Sequence, residues 1–80
     1  MRKVYWLMPS PTMCELCNHA LTDTFIDGAT TSGRWAIICP TCWNEGYKKP
    51  GVCGLGGALG TGRGQQYTKQ ADGRWLKTDG

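Results

Sequence analysis

Two Cys-x-x-Cys knuckles, Cys14-Glu15-Leu16-Cys17 and Cys39-Pro40-Thr41-Cys42, stand 21 residues apart and constrain this chain more than any other feature. Paired knuckles near this separation are the pattern of a tetrahedral four-thiolate zinc site. The gap slightly exceeds the usual interval of roughly 15–20 residues, and a hairpin with a generous loop takes up the difference. One structural Zn²⁺ on Cys14, Cys17, Cys39 and Cys42 is therefore expected.

Composition makes the same demand from another side. Leu, Ile, Val and Phe together number twelve of 80 residues, below the roughly 20% at which a chain begins to look disordered. Four Trp and three Tyr supply part of the missing bulk. A metal would offset the rest, because structural zinc contributes about 10–16 kcal/mol of apparent binding free energy. Disulfides are the rival use of five cysteines. Met1 is followed by Arg2-Lys3 and a five-residue apolar run before Pro9, which is not a secretory pattern and is too short to span a membrane. The expectation is a reducing, cytoplasmic setting in which thiols stay free to bind metal.

The spacing predicts the elements between and around the knuckles. Residues 3–8 read as a short strand ending at Pro9. Thr22–Asp27 alternates, with Thr24 and Ile26 on one face and Asp23, Phe25 and Asp27 on the other. Gly28–Gly33 reads as a polar loop, and Arg34–Ile38 runs back to deliver Cys39. Pro40 suits the first position of a helix reaching about Lys49, with Cys42 in its first turn and Pro50-Gly51 as its end. Trp35 is expected in the core and Trp43 on the surface. Gln66–Gln70 and Arg74–Thr78 form a C-terminal hairpin around Ala71-Asp72-Gly73, with Tyr67 and Trp75 meeting across it or packing on the zinc module. The result is a small α+β zinc-binding domain, treble-clef-like or alternatively a zinc ribbon. It has short β-hairpins, one short helix and a Gly-rich loop. Its parts are a Cys₄ zinc module with an N-terminal strand (1–50), the loop (51–64) and a basic hairpin (65–80), in one domain overall.

Catalysis finds little support. Four thiolates leave no open position for water on the metal, and no Glu lies in a motif that would serve as base. A deaminase pattern needs His-x-Glu followed by Pro-Cys-x-x-Cys; His19 is followed by Ala20-Leu21, and Pro40 sits inside its knuckle. His19 reads as a surface or supporting residue and Cys53 as a small residue under the glycine run. Seven of the fourteen residues 51–64 are glycine, yet neither a dinucleotide fingerprint nor a P-loop is complete. No small-molecule substrate and no enzymatic activity are expected.

The charges divide unevenly. Residues 48–80 carry Lys48, Lys49, Arg63, Lys69, Arg74 and Lys77 against Asp72 and Asp79, while the first half is mildly acidic. A basic tail points to an anionic partner. Lys48, Lys49, Arg63, Lys69, Arg74, Lys77 and Trp43 are the candidate partner-binding residues, with Arg63 read as part of a flexible Arg-Gly segment that follows a phosphate backbone. Two functions result. In the first, the protein contacts nucleic acid or a nucleic-acid-bound machine such as the transcription apparatus. In the second, it modulates or inhibits a host protein, or a complex of them, gripped through an aromatic-rich face.

Taken together, Cys14-x-x-Cys17, Asp27-Gly28, Trp35-Ala36-Ile37-Ile38-Cys39-x-x-Cys42, the glycine run and Gly64-Gln65-Gln66-Tyr67 resemble a family of small zinc-finger proteins of tailed bacteriophages. The resemblance covers roughly residues 12–67, and Cys53 and extra residues in the glycine run depart from it. It implies a phage accessory protein working in the cytoplasm of a host bacterial cell, and it brings no activity with it.

Overall fold

Antiparallel pairing around one central strand organises the molecule. The computed structural model describes residues 2–45, 48–49 and 51–80; the side chains of Lys48 and Lys49 lie outside it. Strands β1 (Thr24–Ala29), β2 (Trp35–Ile38), β5 (Gly64–Lys69) and β6 (Trp75–Asp79) form a sheet of order β2-β1-β5-β6. Helix α1 spans Pro40–Glu45, and β3 (Lys48–Lys49) pairs with β4 (Val52–Cys53) as a separate ribbon. The C-terminal hairpin is thus built into the sheet beside β1, with Phe25 opposite Tyr67 and Ile26 opposite Gln66.

Alternation along β1 buries both faces of the sheet. Ile26 faces a cluster with Cys14, Leu16, Ile38, Cys42 and Trp43. Phe25 faces a second cluster with Tyr67 and Trp75, closed by Trp6, Leu21 and Ile37. In it, Phe25 stacks on Tyr67 at 5.2 Å between centroids and meets Trp75 edge-on at 4.8 Å. Tyr67 and Trp75, expected to meet across the hairpin or to pack on the zinc module, converge on Phe25. Such aromatic pairs contribute about 0.5–1.5 kcal/mol each beyond their burial.

Both hairpins close by the same device. Gly33-Arg34-Trp35 and Gly73-Arg74-Trp75 repeat the same three residues at equivalent turns. Thr30 N–H donates to the Arg34 carbonyl and Gly33 N–H to that of Thr30; Gln70 donates to Arg74, and Gly73 to Gln70, in the same way. Gly33 and Gly73 both take φ +88°, the left-handed residue of a three-residue hairpin loop.

Four expectations change. Residues 3–8 make a single bridge, Tyr5 to Leu76, because the chain turns away at Trp6–Pro9. The first strand is displaced to Thr24–Ala29, taking Gly28 and Ala29 out of the expected loop. Helix α1 is described over Pro40–Glu45 and residues 46–47 lie outside the described residues, while Lys48 and Lys49 stand in β3 and not at a helix end. The tryptophans exchange roles: Trp35 is 44% exposed at the hairpin end of edge strand β2, whereas Trp43 is 2% exposed. Among the described residues, no helix is long and apolar enough to cross a membrane.

Candidate metal centre

The first knuckle is a tight loop whose geometry follows from one backbone reversal. Asn18 N–H donates to the Cys14 carbonyl at 2.9 Å, and Cys14 N–H donates to the His19 carbonyl at 2.9 Å. Asn18 must take φ +62° to close this ring, and Asn tolerates the left-handed region better than most side chains. Leu16 N–H points at the Cys14 sulfur at 3.4 Å. The knuckle then docks on the outer edge of β2 through Glu15, whose N–H donates to the Ile37 carbonyl (2.8 Å) and whose carboxylate accepts from Ile37 N–H (2.6 Å).

The second knuckle joins strand to helix. Cys39 follows β2, Pro40 opens α1 where its missing N–H costs nothing, and Cys42 lies in the first turn. Cys42 N–H points at the Cys39 sulfur at 3.4 Å, mirroring the first knuckle.

These two turns bring four sulfurs within 4.8 Å of one another, from Cys14, Cys17, Cys39 and Cys42. Cys17 Sγ stands 3.8 Å from Cys39 Sγ. Sulfurs about 2.3 Å from a central zinc would be about 3.8 Å apart along a tetrahedron's edge. The donor set and spacing therefore suit a four-thiolate metal. Cys14 and Cys42 are buried; Cys17 and Cys39 line a cleft of about 560 Å³ shared with His19, Leu21 and Pro40.

Electrostatics within the cluster also suit a cation. Burial pushes the Cys14 thiol up, yet N–H groups of Cys39, Cys17 and Leu16 together outweigh it and leave Cys14 at about 7. Burial raises Cys39 and Cys42, and the negative charge on Cys14 adds to both. One thiolate forms readily and opposes the next, and a divalent ion reverses that opposition.

His19 lies outside the four-sulfur cluster but directs Nδ1 at Cys17 Sγ, 3.3 Å away. Cys53 also lies outside it, in β4, 3.9 Å from Thr31 Oγ1. Glu15 and Asn18 were not anticipated. Asn directly after a knuckle is a readable signal for a left-handed residue; Glu15 carries none. Asn18→Gly should preserve metal affinity and melting temperature, while Asn18→Val, forced into the same φ, should cost about 1–2 kcal/mol. Thermal melts of the zinc-loaded variants check this, and equal melts would place the constraint elsewhere.

The candidate partner-binding residues scatter. Trp43, taken as an exposed contact, is core: its indole lies over Gly28 and Gly54 and donates to the Gly57 carbonyl at 3.2 Å. Arg63 is tied down as well, with Nη2 on the Gly56 carbonyl (2.6 Å) and Nε on that of Ala58 (3.0 Å). The glycine run is therefore a clasp around Trp43, pinned by Arg63. Arg74 pairs with Asp72 at 2.8 Å and stacks over Tyr5 at 4.0 Å. Lys69 Nζ sits 5.6 Å from the Trp75 ring, and Lys77 is half-buried with its N–H on the Val4 carbonyl. The side chains of Lys48 and Lys49 fall outside the described residues. Arg2 and Lys3 precede the Tyr5–Leu76 bridge to edge strand β6, whose hairpin carries Lys69, Arg74 and Lys77 against Asp72 and Asp79.

Compared with models of protein families, with curated proteins and with solved structures, the chain matches none.

Proposed function

We propose that this chain is a zinc-structured binding module without catalytic activity, treble-clef-like in the order knuckle, hairpin, knuckle and helix. The observation that carries this reading is the cluster of four sulfurs within 4.8 Å. Cys14, Cys17, Cys39 and Cys42 would hold Zn²⁺, and four thiolates fill a tetrahedral shell with no position for water. The ion would supply rigidity, joining the first knuckle to the start of α1 across the hairpin.

The partner is an anionic polymer, namely nucleic acid alone or within a larger machine. What supports this is the basic edge: Arg2, Lys3, Lys69, Arg74 and Lys77 stand against Asp72 and Asp79, and Asp72 is already engaged by Arg74. The phage resemblance supports a role inside an infected bacterial cell. Lysines and arginines that displace counterions give affinity that falls steeply with salt. Three to five phosphate contacts predict a log–log slope of about −2 to −4, and Arg2→Ala with Lys3→Ala should reduce it by roughly one to two units. Labelled single- and double-stranded DNA and RNA, titrated at two salt concentrations, measure this. No complex at low salt and tens of micromolar protein, where non-specific binding normally shows, would end the nucleic-acid reading.

A further inference from the structure

Among the described residues, the large exposed apolar side chains are not spread evenly: of Val4, Leu7, Met8, Met13, Trp35 and Leu55, the first four fall within ten residues of one another. Leu7 is 93% exposed and Met8 66%. Both sit in an arch whose two feet are fixed. On one side Trp6 packs edge-on against Phe25 (5.3 Å) and Tyr67 (5.4 Å), and its N–H donates to the Trp75 carbonyl at 2.9 Å. On the other, Ser10 Oγ accepts from Trp75 Nε1 at 2.8 Å. Trp6 Nε1 closes the arch on the Pro9 carbonyl at 3.2 Å. The fold therefore anchors its neighbours in the aromatic core and presents Leu7 and Met8 to solvent.

An apolar tip already held in one geometry loses little further freedom on binding, which favours a shaped pocket. Its surroundings set the pocket's charge. The chain carries no acidic residue before Glu15; Arg2 and Lys3 precede the arch, the Lys77 N–H donates to the Val4 carbonyl, and Arg74, paired with Asp72, covers Tyr5. We propose that Leu7 and Met8 insert into an apolar pocket of a partner protein rimmed by carboxylates. A second copy of the chain would set like charges against each other. A membrane would gain little from a two-residue tip, since stable anchoring takes a larger apolar face or a second signal. The proposal does not depend on nucleic-acid binding.

The test uses the full zinc-loaded chain carrying a photo-crosslinking phenylalanine analogue at position 7, or at exposed Thr61 as control, in nuclease-treated bacterial lysate. Proteins crosslinked only from position 7 are purified and titrated with wild type, Leu7→Asp, Leu7→Met and Lys3→Glu. The expected result is a loss of roughly ten- to a hundred-fold in affinity for Leu7→Asp, near-wild-type binding for Leu7→Met, and slower association for Lys3→Glu. Zinc content and melting temperature should match wild type in all three, because Leu7 and Lys3 are exposed. The proposal is overturned if no captured protein depends on Leu7. It is equally overturned if Leu7→Asp instead abolishes binding to vesicles of anionic lipid, or abolishes self-association in sedimentation.

Discussion

Stripping the metal with a strong chelator should unfold the protein. Cys14 is 0% exposed and Cys42 1%, and both belong to the cluster that holds Leu16, Ile26, Ile38 and Trp43. Without a cation, that cluster must carry four close sulfurs, and burial together with the charge on Cys14 opposes ionisation of Cys39 and Cys42. A structural Cys₄ zinc contributes about 10–16 kcal/mol of apparent binding free energy. The whole stability of a small domain is about 5–15 kcal/mol, so the Glu15–Ile37 hydrogen bonds and the burial of Leu16 should not hold the fold once the metal is removed. The aromatic cluster on the opposite face shares β1 and Leu21 with this one and so should not survive alone. Cys14→Ser and Cys39→Ser should purify without metal and without a cooperative melt. Cys53→Ser should bind one equivalent and melt normally. His19→Ala should keep the cobalt spectrum of a four-sulfur site. Elemental analysis of native protein showing no zinc, or an unchanged melt after chelation, would refute the assignment.

What the amino-acid sequence makes legible here is whatever depends on short spacing. Both knuckles read directly, because metal geometry dictates the interval within each pair. The alternation of Thr24, Phe25 and Ile26 gave the right two faces, and Ala71-Asp72-Gly73 gave the second hairpin turn. The repeated Gly-Arg-Trp was there to be read as a shared turn, but it becomes meaningful only once both turns are seen to close alike. Long-range pairing was not legible: nothing local to Gln65 or Tyr67 says that β5 must lie beside β1. The same blindness explains the tryptophans. Trp35 has good strand character, yet it falls at the far end of an edge strand, beyond the reach of the aromatic cluster. Trp43 follows a knuckle cysteine on a short helix, a position that reads as peripheral. Its burial depends on a glycine run that begins eight residues later. Function follows the same division, since the spacing of the cysteines marks a possible metal site while partner contacts carry no fixed interval.

Trp43 and its glycines should form a strongly coupled packing unit within the cluster that also holds Cys14 and Cys42. A Cβ at Gly28 would stand 2.6 Å from Trp43 Cζ3, and one at Gly54 would stand 2.9 Å from Cε3. Neither backbone can retreat freely: Gly28 is paired with Ala36 on one side and Gly64 on the other, and Gly54 bridges Thr30. Gly28→Ala should therefore cost about 1–3 kcal/mol by overpacking. Trp43→Ala opens the opposite defect, a cavity beneath the glycine loop, and should cost about 3–5 kcal/mol. In a domain of this size each kcal/mol lowers the melting temperature by about 4–8 °C, so Trp43→Ala should fall by tens of degrees. The smaller ring of Trp43→Phe frees the space above Gly28. Gly28→Ala should thus cost less in the Trp43→Phe background than in wild type, a coupling of about 0.5–3 kcal/mol that a double-mutant cycle isolates. Zinc stoichiometry should stay at one for Gly28→Ala, since the alanine reaches the indole and not the thiolates. Strictly additive melts would show that the indole does not rest on Gly28.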